Sequence, residues 1–178
     1  MISALLRAQT PRFAAARFVP RITPTIAVRF NSVNFKIDTD SPVFKYHQDG
    51  PVAVKYTSEH EWIALHKDDT AFVGITSYAA DALGDATFIE LPEIGTSVAA
   101  GESIGSVESV KSASEIYAPV GGEVINANSI LESEPGVINS DPQGAGWIAH
   151  IKVEDPEQFH VSEDLLDEAA YIESLEEH

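Results

Sequence analysis

From residue 59 to residue 153 the chain is cut into short runs in which apolar and polar side chains alternate, each closed by Gly, Pro, Asn or Ser. Alternation with period two places successive side chains on opposite faces of a strand. The runs cover 59–66, 71–76, 87–91, 103–108, 112–117, 123–127 and 147–153, with 67–70 as a turn. Short strands at this spacing cannot form a parallel sheet with long crossovers; they fold as a sandwich or barrel. Two stretches change period. Residues 76–84 offer a hydroxyl cap, an alanine-rich middle and a closing glycine, which is a two-turn helix. Residues 162–176 space Leu165, Leu166, Ala169, Ile172 and Leu175 as a helix, with Ser162 or Asp164 to cap it. Residues 128–146 read as loop apart from a short helix over 130–133, and 38–52 read as a linker without periodicity.

Charge divides the chain. Residues 1–37 hold all five arginines and Lys36 with no acid, whereas the rest holds all 28 acids against five lysines. An arginine-rich, acid-free start with Ala, Ser, Thr and Leu has the composition of a mitochondrial transit peptide. The expected organisation is therefore 1–47 as transit peptide and linker and 48–178 as one folded domain, located in the mitochondrial matrix. A basic arm for nucleic acid or anionic lipid is the competing reading of the first segment. The acidic remainder disfavours nucleic acid as a partner and favours proteins with basic docking surfaces, with attachment that weakens as salt rises. No apolar run approaches the ~18 residues needed to span a bilayer, so no membrane insertion is expected.

Chemistry is scarce in this composition. There is no cysteine, so no disulfide, thiolate metal site or cysteine nucleophile. Gly101-Glu102-Ser103-Ile104-Gly105 matches G-x-S-x-G, but that motif needs a strand, a sharp turn and a helix, and here a strand pattern follows. Ser109 and Lys111 do not make a catalytic dyad, because a lysine base must be neutral and this one lies in a turn between Glu108 and Glu115. The six histidines lack the i, i+4 pairing of a helical zinc site.

What remains is Lys111, the only Lys or Arg between Lys67 and Lys152. Alternating flanks place it at a hairpin tip, with Val107 and Ile116 free to face the core and small neighbours Ser109, Ser112 and Ala113 that let an enzyme approach. An exposed lysine amine presented in this way suits covalent acylation, which removes its charge.

These residues lie in segments that resemble the H proteins of glycine cleavage systems, in mitochondrial form. The resemblance runs through Lys55-Tyr56-Thr57-Ser58-Glu59-His60-Glu61-Trp62, Val73-Gly74-Ile75-Thr76, Phe88-Ile89-Glu90-Leu91-Pro92 and Val107-Glu108-Ser109-Val110-Lys111-Ser112-Ala113-Ser114-Glu115. It implies a mostly β barrel-sandwich hybrid, a flattened β-barrel with short helices and a helical C-terminus. It implies one lipoate per chain as an amide on Lys111, recognition or aminomethyl-pocket roles for Glu108, Glu115 and Glu61, and no catalysis by the chain itself. The partners it implies are a pyridoxal-phosphate glycine decarboxylase, a tetrahydrofolate-dependent aminomethyltransferase, dihydrolipoamide dehydrogenase and lipoate-attaching enzymes, served by a monomer. A lipoyl domain or lipoate-relay protein for 2-oxoacid dehydrogenases is the alternative, although those domains usually carry Asp-Lys-Ala where this chain has Val110-Lys111-Ser112.

Overall fold

The seven alternating runs are strands, and two more that the pattern did not show, Ala53–Tyr56 and Ser97–Val98, make nine in two antiparallel sheets in the computed structural model, which describes residues 36–176. The larger sheet is ordered β1 (Ala53–Tyr56), β2 (Glu61–Leu65), β3 (Thr70–Ile75), β9 (Ala149–Val153), β8 (Gly122–Ala127), β5 (Ser97–Val98). The smaller sheet is β4 (Ala86–Glu90), β6 (Ser103–Ser109), β7 (Ala113–Tyr117). Six helices accompany them among the described residues: α1 (Pro42–Lys45), α2 (Ser77–Leu83), α3 (Ile130–Ser133), α4 (Val137–Ser140), α5 (Pro156–Val161) and α6 (Glu168–Glu176). The strand pattern required a sandwich or barrel, and the barrel-sandwich arrangement is the one that the resemblance implied.

One apolar cluster joins the facing sides of the two sheets. Ile63, Leu65, Val73 and Ile75 come from the larger sheet, and Ile89, Ile104, Val107 and Ile116 from the smaller. Val107 and Ile116 are each 1% exposed, as their place in the alternation requires. Burying a side chain of this size contributes about 1.5–3 kcal/mol.

A second cluster lies on the other side of the larger sheet. In β2 and β3 every residue is buried, because both faces are covered. Trp62, Ala64 and Phe72 point away from the sandwich core and meet Val43 of α1 and Tyr171 of α6. Tyr171 stacks on Tyr56 with ring centroids 4.9 Å apart. The segment 38–52 is therefore no linker: its serine-capped turn of helix inserts Val43 into this second core, and Ile37 joins it. Packing onto the domain thus begins well before residue 48. The 1–35 segment read as a transit peptide lies outside the described residues.

The C-terminal helical reading needs a second correction. Leu165 and Leu166 are not helical; Leu166 forms an antiparallel bridge with Tyr56, and the helix begins at Glu168. Asp155 caps α5 through bonds from the backbone amides of Glu157 and Gln158, with Pro156 at its start. An Asp-Pro pair is a helix-start signal, but the stronger leucine spacing downstream masked it. One-turn α4 and two-residue β5 are too short to leave a periodic trace.

Under α1, Tyr46 makes ring contacts with His47, His66, Phe72 and His150. His66 and His150 are 1% and 5% exposed, and the Nε2 of His150 has no hydrogen-bond partner among the described residues. Burial lowers the pKa of both, His150 to about 4. A histidine whose pKa is depressed by folding is neutral in the native state, so below pH ~6.5 the unfolded chain gains protons first and stability falls. The melting temperature is expected to drop by roughly 5 °C between pH 7 and pH 5. His150→Phe, which keeps the stacking with Phe72 seen at 4.0 Å, is expected to flatten that dependence. Equal slopes in the two proteins would contradict it.

Candidate functional site

Lys111 sits where the alternation placed it, in the turn joining β6 and β7. The strands pair Val107 with Ser114 and Glu108 with Ala113, and the amide of Ser109 closes the turn on the carbonyl of Ser112 at 2.8 Å. The Ser109 hydroxyl accepts from the amides of Lys111 and Ser112, both at 3.1 Å, and donates to the Ser112 carbonyl. Ser109 is thus more than a small neighbour; its side chain staples the turn that presents the lysine, as hydroxyl residues do in tight turns.

The Lys111 side chain is exposed and leaves the tip toward the end of α2. Thr76 caps that helix at its start, and Gly84 closes it by donating to the Ala80 carbonyl. Gly84 has φ 78° and ψ −166°, a region open in practice only to glycine. A Cβ at Gly84 would stand 3.0 Å from the Lys111 Nζ, so the missing side chain also leaves room for the lysine. Asn139 secures the platform: its Nδ2 donates to the carbonyls of Gly84 and Ala80, and its Oδ1 accepts from the Ala86 amide. The partial negative charge of a helix C-terminus favours a cation there. Lys45, Lys67 and Lys152 are held in ion pairs, whereas among the described residues no ion pair joins Lys111 to Glu108 or Glu115.

Beside the tip is a cavity of about 220 Å³, walled by α2, β6, β7 and the start of β2. Its apolar floor includes Ile75, Leu83, Val107 and Ile116, and its polar lining includes Ser112, Glu59, Glu61 and Glu115. Glu61 lies on the inner face of β2, in phase with Ile63 and Leu65, and is 2% exposed. It accepts a hydrogen bond from the Thr57 hydroxyl at Oε2 and one from the Tyr117 amide at Oε1, 3.1 Å long. Its own amide donates back to the Thr57 hydroxyl. Burial, opposed by these bonds, pushes the Glu61 carboxyl above the ordinary range. His60, with φ 74°, turns the chain into β2 and bonds to the Tyr171 hydroxyl through Nδ1, so it serves the second core as well as the cavity wall.

The structure therefore brings Glu61 and Glu115 to one cavity and leaves Glu108 outside it. Glu61 is not a solvated strand charge. Glu115 is exposed on edge strand β7 and accepts from the Ser103 hydroxyl. Glu108 faces outward across from Phe88 of β4. Sequence reading missed Gly84 and Asn139; the closing glycine of the helix was visible, but the lysine packed on it was not. The G-x-S-x-G match is a strand entry: Ser103 opens β6, and Gly105 lies in a bulge where a Cβ would collide with the Glu90 carbonyl.

Comparisons with known proteins agree with the fold. The family model described as "Glycine cleavage H-protein" matches residues 54–178. The mitochondrial glycine cleavage system H protein of Saccharomyces cerevisiae is 51% identical over 154 residues, covering 85% of this chain and 91% of the yeast protein. The glycine cleavage system H protein of Mycobacterium tuberculosis is 49% identical, covering 72% of this chain and 98% of its own length. A crystal structure of a glycine cleavage system H protein from Mycobacterium marinum superposes with a TM-score of 0.63 at 39% identity, covering 71% of this chain and 98% of that one.

Gly84→Ala tests the platform. It is expected to cost about 1–3 kcal/mol, from forcing alanine into a glycine-only conformation. It should also displace the Lys111 side chain, seen as a change in the rate at which a small amine reagent labels that lysine. Unchanged stability and labelling would refute the double role.

Proposed function

The chain belongs to the glycine cleavage H-protein family, and on that premise we propose that it works through Lys111 as the single attachment point for lipoate. As a carrier of this family it takes an aminomethyl group from the glycine decarboxylase to the aminomethyltransferase and is then returned to its oxidised state by dihydrolipoamide dehydrogenase. Relatives named as H proteins at about half identity do not favour a lipoyl domain of a 2-oxoacid dehydrogenase. The observation that carries the assignment to Lys111 is its position: one cation at a stapled tip, above an apolar cavity with carboxylates in its lining.

The residues suit the group. A dithiolane on an aliphatic chain supplies the redox sulfur that a cysteine-free chain lacks. Attachment requires Lys111 to lose a proton. Its Nζ then attacks the carbonyl carbon of an activated acyl donor; the C–N bond forms, the leaving group departs with its electron pair, and a second proton is lost. The product is an uncharged amide. Ile75, Leu83, Val107 and Ile116 offer apolar surface to a chain lying in the cavity. Glu61 in its ionised form would pair with an ammonium there, and its bonds to Thr57 and Tyr117 fix the carboxylate before the cation arrives. Glu115 would extend the same charge to the rim, while Glu108 is left for recognition by the attaching enzyme. The chain supplies no turnover chemistry in this reading and acts as a monomer. Its arginine-rich segment directs it to the mitochondrial matrix, where it meets the pyridoxal-phosphate and tetrahydrofolate enzymes.

Intact mass of protein purified from lipoate-replete mitochondria should show one lipoyl adduct per chain, absent in Lys111→Arg. An unmodified wild-type chain would overturn the assignment. Glu61→Gln keeps an acceptor for the Tyr117 amide but removes the charge. It is expected to speed hydrolysis of the loaded arm roughly tenfold, the value of a charge-assisted bond. Because burial raises the Glu61 pKa, the protection in wild type should weaken as pH falls through that raised range and be flat with pH in the variant. Identical release rates would count against the pocket.

A further inference from the structure

The outer face of the smaller sheet carries a feature that lies apart from the cavity beside Lys111. Phe88 stands directly across from Glu108, three residues from Lys111, and is 53% exposed. On the same face Glu90 pairs in register with Ser106, and Ser106 with Glu115. Beyond Phe88 a groove of about 560 Å³ continues along Leu91 and Pro92 to Ile94, itself 60% exposed, with Glu90, Glu93 and Glu132 at its edge. Single exposed apolar residues need no explanation, but a groove of them that starts at the strand paired with the lysine-bearing hairpin does. Between residues 68 and 151 Lys111 is the only cation, so nothing on this surface offsets its carboxylates.

We propose that Phe88 and this groove are the docking surface for the enzyme that acylates Lys111, which would present an apolar side chain set among lysines or arginines. The proposal rests on Lys111 being the acylated residue. Enzymes that act on the far end of a long arm can stand away from the protein. The enzyme that forms the amide cannot, because its activated carbonyl must come within about 3–3.5 Å of Nζ. It must therefore cover the tip and whatever lies beside it, and β4 lies beside it. An exposed aromatic ringed by acids is a good anchor for such a partner: the ring supplies buried area, and the carboxylates supply steering and register.

The test uses the unmodified full chain, octanoyl-adenylate as donor and the purified lipoate-attaching enzyme, with acylation followed by intact mass and binding followed by calorimetry. Phe88→Ser should raise KM and Kd about tenfold or more at unchanged kcat, as loss of an interface anchor does. Phe88→Leu should restore most of the affinity, and KM should rise with salt in wild type. Equal KM and Kd for Phe88→Ser and wild type would overturn the docking surface. So would a Phe88→Ser chain that is acylated normally but meets the aminomethyltransferase with raised KM, since the groove would then serve that partner. A Lys111→Arg chain that still accepts the octanoyl group removes the underlying assignment instead.

Discussion

Everything at the site depends on the register of β6 against β7. Side chains alternate with period two, so pairing Val107 with Ser114 puts Val107 and Ile116 in the sandwich core and Glu108 outside it. A slip of one residue in either strand would exchange an apolar core residue for a carboxylate. An unpaired buried carboxylate costs several kcal/mol, so the core fixes the register far more strongly than the exposed turn could. The same register decides that Lys111 falls in the turn and not in a strand. Ser109 then completes the work locally by closing the turn with its hydroxyl.

The core that sets this register also builds the cavity. Glu61 belongs to the inner face of β2, where its neighbours in phase are Ile63 and Leu65. It is tolerated there because both oxygens are satisfied, by Thr57 and by the backbone of Tyr117. The residue that bonds it comes from the end of β7, so the strand leading from the lysine tip also holds the carboxylate of the cavity. On the other side of the tip, α2 ends in a conformation that only glycine adopts readily, and the Lys111 chain rests against that glycine. Strand pairing, a helix cap and one buried acid thus form a single arrangement around one amine.

Much of this was legible beforehand, for a physical reason. The helix at 77–83 and the strands flanking Lys111 are local events, governed by capping and by alternation, and both leave a trace in neighbouring residues. The misreadings share the opposite character. Leu165 and Leu166 are spaced like the start of a helix, yet both stay outside it, and Leu166 bridges to Tyr56 across the fold. Val43 looked like part of a linker, since nothing within 38–52 shows the face of Trp62 and Phe72 that it covers. Glu61 reads in sequence like any strand acid; only its partners, Tyr117 among them, reveal its burial.

The sequence by itself determined the class of fold, the hairpin, and the isolation of one lysine in an acidic surface. Those follow from period, turn residues and charge count, none of which needs a distant contact. The resemblance of its motifs to H proteins then supplied the group proposed for that lysine. Tertiary structure alone decided which carboxylates share a cavity, that Glu108 is not one of them, and that Gly84 and Asn139 make the lysine's platform. It also decided that both faces of β2 and β3 are covered, so that a strand with an apparent outer face is buried throughout. Those outcomes rest on which surfaces meet, and surfaces far apart in the chain meet only when burial of the two cores brings them together.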